Sequence, residues 1–72
     1  MIKMERLAVS SSNIASIGYD SAFLTLEVEF NNGAIYQYYD VTEDVYTDLL
    51  NASSIGSYSS HNIRNAYPTQ KI

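Results

Sequence analysis

Phe23-Leu24-Thr25-Leu26-Glu27-Val28-Glu29-Phe30-Asn31-Asn32-Gly33-Ala34-Ile35-Tyr36-Gln37-Tyr38 is the stretch that decides the fold. Leu24, Leu26, Val28 and Phe30 alternate with Thr25, Glu27 and Glu29. That period of two is a strand with one dry face and one wet face, the pattern of an antiparallel sheet. Asn31-Asn32-Gly33 follows, and the glycine supplies the positive φ that a tight hairpin needs. Two registers compete. A two-residue Asn32-Gly33 turn sets Tyr36 and Tyr38 opposite Glu29 and Glu27. A three-residue loop with Gly33 left-handed pairs Phe30 with Ala34, Val28 with Tyr36 and Leu26 with Tyr38. We favour the second, because it buries two rings and leaves Glu27 beside Gln37.

Outward from this hairpin, Phe23–Phe30 and Ala34–Val41 are the expected central strands. Ile14–Tyr19 reads as a shorter strand, Tyr19-Asp20-Ser21-Ala22 as a turn, and Ser10-Ser11-Ser12-Asn13 as a turn or bulge whose side chains compete for backbone groups. Order is expected to begin at Leu7, with residues 1–6 a loose terminus. Downstream, Thr42 is a candidate N-cap with Glu43 and Asp44 in the first turn, at the positive end of the helix dipole. Val41 and Tyr46 stand at staple positions, Val45, Leu49 and Leu50 line one side, and the helix should end near Asn51 to Ser53. A second helix is expected from Ser57 or Ser59 to Ala66, closed by Pro68. The whole is an α+β domain spanning 1–72: a three- to four-stranded antiparallel meander followed by two helices packed on one face.

Composition narrows what such a domain can do. Seventy-two residues without cysteine have neither disulfides nor thiolate metal sites, and chains this short usually lean on a partner, so a homo-oligomer is expected. Apolar runs reach three residues at most, too short to cross a bilayer or to form a secretory signal, so no membrane contact and a cytoplasmic location are expected. Four Lys and Arg against eight Asp and Glu give a charge of −4, which opposes duplex DNA and general polyanion binding. Seven tyrosines and no tryptophan supply amphipathic rings of the kind enriched at ligand and protein interfaces.

Catalysis is not expected. His61, the single histidine, is the first general-base candidate, but Ser59 and Ser60 beside it read more simply as helix caps, and a triad needs geometry, not adjacency. Gly18, Gly33 and Gly56 lie too far apart for a phosphate loop, no metal-ligand spacing is present, and no cofactor is expected. Tyr36 and Tyr38 share a strand face, where they either fill the core or stack on a base; Tyr39, on the opposite face, is the candidate partner surface. Arg64 either binds an anion or pairs with an acidic residue. The candidate ligand site gathers Arg64, Asn62 and His61 on the short second helix, Ser54, Gly56 and Tyr58 on a loop approaching its N-terminal end, and the rings of Tyr36 and Tyr38. A helix N-terminus presents free N–H groups to an anion, with Arg64 reaching back toward it only if the helix is short or a neighbouring subunit supplies it.

These residues resemble the KTSC domain, a short module at the C-terminus of some lysyl-tRNA synthetases and in stand-alone bacterial and phage proteins. The likeness runs through Ser11-Ser12-Asn13-Ile14, Ile17-Gly18-Tyr19-Asp20, Leu24-x-Leu26-x-Val28-x-Phe30 and Gly33-x-Ile35-Tyr36-x-Tyr38. It continues through Val45-Tyr46-x-x-Leu49, Ala52-x-Ser54-x-Gly56-x-Tyr58 and Asn62-Ile63-Arg64-x-x-Tyr67. Thr42 departs from the proline such domains often carry after the valine. Attachment to a synthetase implies RNA or tRNA binding, which the −4 charge opposes. The small phage setting instead suggests, by analogy, a compact oligomer that sequesters a host nucleotide immune signal. A non-enzymatic module binding a nucleotide-like small molecule is therefore the leading expectation, with an RNA-binding module, a protein-interaction adaptor and a His61-dependent nucleotide hydrolase as alternatives.

Overall fold

A computed structural model describes residues 6–72, so most of the expected loose terminus, residues 1–5, lies outside the described residues. Five strands form one antiparallel sheet in sequence order: β1 (Arg6–Ala8), β2 (Ile14–Asp20), β3 (Thr25–Phe30), β4 (Ile35–Tyr38) and β5 (Thr69–Lys71). Helices α1 (Glu43–Asn51) and α2 (Ile55–Asn62) are inserted between β4 and β5. The α+β class and the meander stand; the fifth strand, added after the helices, was not expected.

The central hairpin takes the three-residue register. Val28 pairs with Tyr36 and Leu26 with Tyr38. The Phe30 N–H donates to the Ala34 carbonyl at 2.8 Å, and Gly33 holds φ at +92° while its N–H closes the turn onto Phe30 at 2.9 Å. Glu27 meets Gln37 as the alternation requires: Gln37 Nε2 donates to Glu27 Oε1 at 2.9 Å.

A bulge decides which face β2 offers. Ile14 pairs with Phe30 but Ser16 with Glu29, so Ala15 is the extra residue. Without it Ile14 and Ile17 would point to opposite faces; with it both turn inward and are almost fully buried. They join Leu26, Val28, Tyr38, Val41, Leu49 of α1 and Ile63 after α2 in a single core on the helix-covered face.

The opposite face is polar and tied across the sheet. Arg6 pairs with Glu27, Glu27 with Gln37, and the Tyr39 hydroxyl shares its proton between Gln37 Oε1 at 3.0 Å and Gln70 Oε1 at 3.3 Å. Ser16 adds a bond to Glu29 at 2.8 Å. Glu27 is nearly buried, yet both its carboxylate oxygens are occupied, which offsets the cost of removing a charge from water.

The structure corrects the expected elements at four places. Strand β4 ends at Tyr38, not Val41, and Asp40 at φ +64° turns the chain toward α1. Phe23 and Leu24 are turn residues, not strand: Leu24 has φ +50°, is 41% exposed, and aims its carbonyl at the Val41 N–H at 2.9 Å. The turn therefore sits two residues later than Tyr19–Ala22 implies. Thr42 is the N-cap residue of α1 by position, but its hydroxyl makes no capping bond. Helix α2 begins at Ile55, not Ser57 or Ser59, because the Ser54 hydroxyl accepts from the Ser57 N–H at 3.3 Å and nucleates it there; the helix then stops at Asn62.

Candidate functional site

A cavity of about 660 Å³ lies between the sheet and α2. That volume falls within the range of small-molecule pockets. Its floor is the core-side surface of the sheet at Phe30, Tyr36 and Tyr38, and Phe30 packs edge-on against Tyr36 with centroids 5.6 Å apart at 84°. One wall is the polar segment Ser12–Asn13, held down by Asn31, whose Nδ2 donates to the Ser12 carbonyl at 2.9 Å. The facing wall is α2 with the turn after it, through Gly56, Ser59, Ser60, Arg64 and Asn65.

Gly56 sets how close those walls come. A Cβ there would stand 3.2 Å from Ser11 Oγ and 3.6 Å from Asn13 Nδ2. Ser11 Oγ is itself fixed, lying 3.3 Å from the Asn13 and Ile14 N–H groups. At the far end, the N–H groups of Ile63 and Arg64 both bond the Ser59 carbonyl, at 3.1 and 2.9 Å. This wraps the chain past α2 and delivers Arg64 to the cleft from the helix's C-terminal end.

Electrostatically the cleft differs from the rest of the chain. Arg64 lines it, is exposed, and makes no ion pair among the described residues; Arg6, by contrast, is bound to Glu27 on the far face. Among the described residues no Asp or Glu lines the cavity. Tyr38 is 3% exposed, and burial pushes its phenol up, with neighbouring Tyr36 adding to the rise and the Arg64 charge opposing it. The Tyr38 hydroxyl is therefore a proton-bearing donor within reach of the Arg64 field at neutral pH.

The eight expected ligand residues do not form one site. Arg64, Gly56, Tyr36 and Tyr38 line the cleft, whereas Ser54, Tyr58, His61 and Asn62 line a separate shallow hollow on the other side of α2. Helical periodicity is the cause. With the helix starting at Ile55, Gly56, Ser59 and Ser60 fall on one face, while Ser54, Ser57, Tyr58, His61 and Asn62 fall on another. The hollow residues also spend their polar groups locally. His61 Nδ1–H donates to the Ser57 carbonyl at 2.8 Å, and Asn62 Nδ2 donates to the Tyr58 carbonyl at 3.2 Å. His61 is thus turned onto its own helix and away from the cleft. Within the chain, the expectation that Arg64 reaches back to the N-terminal end of α2 is corrected: Arg64 stands beyond the other end. Tyr39 lies on the opposite sheet face as expected, half-buried, with its hydroxyl engaged in the polar network.

Asn13, Asn65, Ser59 and Thr69 are cleft residues that sequence reasoning missed. Asn and Ser in short polar clusters read as turn formers, and nothing local separates that role from ligand contact. Among the described residues, no three His, Cys, Asp or Glu side chains cluster as a metal site would need. Nor is any helix there long and apolar enough to cross a membrane.

The KTSC domain profile matches residues 10–67, which include both walls of the cleft and Arg64. The chain belongs to the KTSC domain family. A crystal structure of a KTSC domain protein from Yersinia pestis superposes with a TM-score of 0.91 at 38% identity, covering 97% of this chain and 99% of that one. An uncharacterised protein of Stutzerimonas stutzeri is 46% identical over 55 residues, 76% of this chain and 78% of its own. A lysine–tRNA ligase of Nostoc punctiforme is 29% identical over all 72 residues, which make up 13% of the ligase. The chain thus matches nearly the whole of one small relative and a minor part of a large one.

Proposed function

We propose that this KTSC domain is a non-enzymatic binding module that holds a small nucleotide-like molecule in the cleft between sheet and α2, sequestering it rather than turning it over. One observation carries the reading. In a chain of charge −4, the cleft has Arg64 as its charged lining residue, with the aromatic side chains Phe30, Tyr36 and Tyr38 and the residues Asn13 and Asn65 also lining it. Arg on an anion and rings under a planar base are the two elements such recognition requires. The direct test is calorimetry with AMP. Arg64→Ala should lose binding while keeping its thermal midpoint, because an exposed, unpaired arginine contributes about 0 to 1 kcal/mol to folding. Undiminished binding by a well-folded Arg64→Ala protein sinks the assignment.

The ligase relative favours a second reading, an RNA-binding module. It predicts an affinity that falls steeply with salt, since each neutralised phosphate releases counterions. A shallow salt dependence separates the small-molecule reading from it. Action in the cytoplasm as a homo-oligomer belongs to the same proposal. Leu7, Phe23, Leu24 and Ile72 leave large apolar side chains 41% to 65% exposed, and a chain this short has little core of its own, so a second copy is the support we propose. Light scattering that returns the monomer mass throughout the micromolar range contradicts this part, whatever the cleft binds.

A further inference from the structure

Two polar groups in the cleft are nearly buried without serving the fold. Tyr38 is 3% exposed and Ser59 4%, and both line the cavity. Neither hydroxyl has a hydrogen-bond partner among the described residues, although every fully enclosed side-chain polar atom there has one, so both hydroxyls open onto the cleft. A hydroxyl that opens onto the cleft and bonds no described residue keeps its proton available to an acceptor bound there. Arg64 stands beside this pair as a single positive charge.

We infer, resting on the ligand-binding reading above, that the cleft is built for a ligand with one negative charge, a phosphodiester or carboxylate on a planar body, and discriminates against polyphosphates. Arg64 is the counter-ion, and the Tyr38 and Ser59 hydroxyls are neutral donors to the anion's oxygens. One guanidinium balances one charge. A triphosphate would bring several further charges into the field of a chain at −4, with no second cation lining the cleft among the described residues. Neutral hydroxyl donors suit a singly charged oxyanion, since they add hydrogen bonds without adding charge.

Calorimetry at fixed ionic strength with five probes tests this: adenosine, 3′,5′-cyclic AMP, AMP, ATP and benzoate. Cyclic AMP should bind at least about tenfold more tightly than adenosine or ATP, with the dianion AMP between cyclic AMP and ATP. Tyr38→Phe keeps the ring and the core, and it should weaken cyclic AMP by roughly tenfold to a hundredfold, as expected for a lost bond to a charged acceptor, while leaving adenosine unchanged. ATP binding more tightly than cyclic AMP, or adenosine binding equally well, overturns the single-charge rule and leaves the nucleotide reading standing. Binding of benzoate alone, sensitive to Tyr38→Phe, does the reverse. Silence from all five probes overturns both.

Discussion

The Tyr19 and Tyr46 rings lie face to face, centroids 4.9 Å apart and planes at 13°, while Tyr19 Oη donates to the Val41 carbonyl at 2.6 Å. This single side chain joins β2 to the start of α1 twice, by stacking and by hydrogen bond. It therefore sets the position from which the chain runs through α1 into α2 and the cleft wall. Tyr19→Phe keeps the stack and loses the bond, and should cost about 1 kcal/mol in a urea titration. Tyr46→Ala removes the stack and should cost about 1 to 3 kcal/mol, the scale of a half-buried aromatic with its pair energy.

The three strand tyrosines should separate by burial. Tyr38→Ala opens a cavity in the core and should cost about 3 to 5 kcal/mol. Tyr36, half-buried against Phe30, should cost less, and Tyr39, whose ring lies on the polar face, least of all. Equal losses at the three positions in denaturant melts would contradict the register. Tyr38→Phe should be nearly neutral for stability, because its hydroxyl bonds no described residue.

Much of this arrangement was legible in the sequence, for physical reasons that also mark where legibility ends. Leu26, Val28 and Phe30 alternate because one face of their strand packs on the apolar core while the other carries the polar network of Glu27 and Glu29, and Gly33 shows the loop because positive φ favours glycine there. The same alternation carried the strand two residues too far, since a period of two cannot register that Leu24 bends to φ +50°. Strand β5 left no pattern to read: Thr69, Gln70 and Lys71 are all exposed, and the strand exists because β4 offers a free edge to the returning chain. Arg64, Tyr36, Tyr38 and Gly56 line one cleft together. Ser54, Tyr58, His61 and Asn62 do not join them, because α2 begins at Ile55 and stops at Asn62: Gly56 and Tyr58 are then helical, two positions apart and on different faces, and Arg64 leaves the helix that carries His61 and Asn62.

Alkaline pH should destabilise the fold. Tyr38 is raised above the ordinary phenol value by burial and then by Tyr36, against the opposing Arg64 charge; Tyr19 is raised by desolvation and by Glu43 and Asp20. With folded values above the unfolded one of about 10, the unfolded chain releases its protons first. Stability from these phenols is thus complete below about pH 10 and is lost as pH climbs through the folded values. Urea midpoints should be insensitive to these groups between pH 7 and 9 and fall above that window, less steeply in the Tyr38→Phe protein. A midpoint that rises above pH 10 would contradict the assignment.

Two glycines should behave differently on substitution by alanine. At Gly33 a Cβ meets nothing within 4 Å but φ is +92°, so Gly33→Ala should cost about 1 to 2 kcal/mol through the backbone alone and leave the cleft intact. At Gly56 the Cβ presses on Ser11 Oγ at 3.2 Å. The gain in helix propensity, about 1 kcal/mol, offsets part of that overpacking. Gly56→Ala should therefore change stability little yet push the cleft walls apart and weaken cyclic AMP binding. Loss of binding in Gly33→Ala but not in Gly56→Ala would argue against the cleft.

The most direct test of the central claim is a cyclic AMP titration followed by backbone amide shifts in a ¹⁵N-labelled protein. The account predicts saturable shifts clustered at Asn13, Tyr36, Tyr38, Ser59, Arg64 and Asn65, with the Ser54, Tyr58, His61 and Asn62 side of α2 far less affected. Shifts centred on that hollow or on the Tyr39 face, or none at millimolar cyclic AMP, would contradict it.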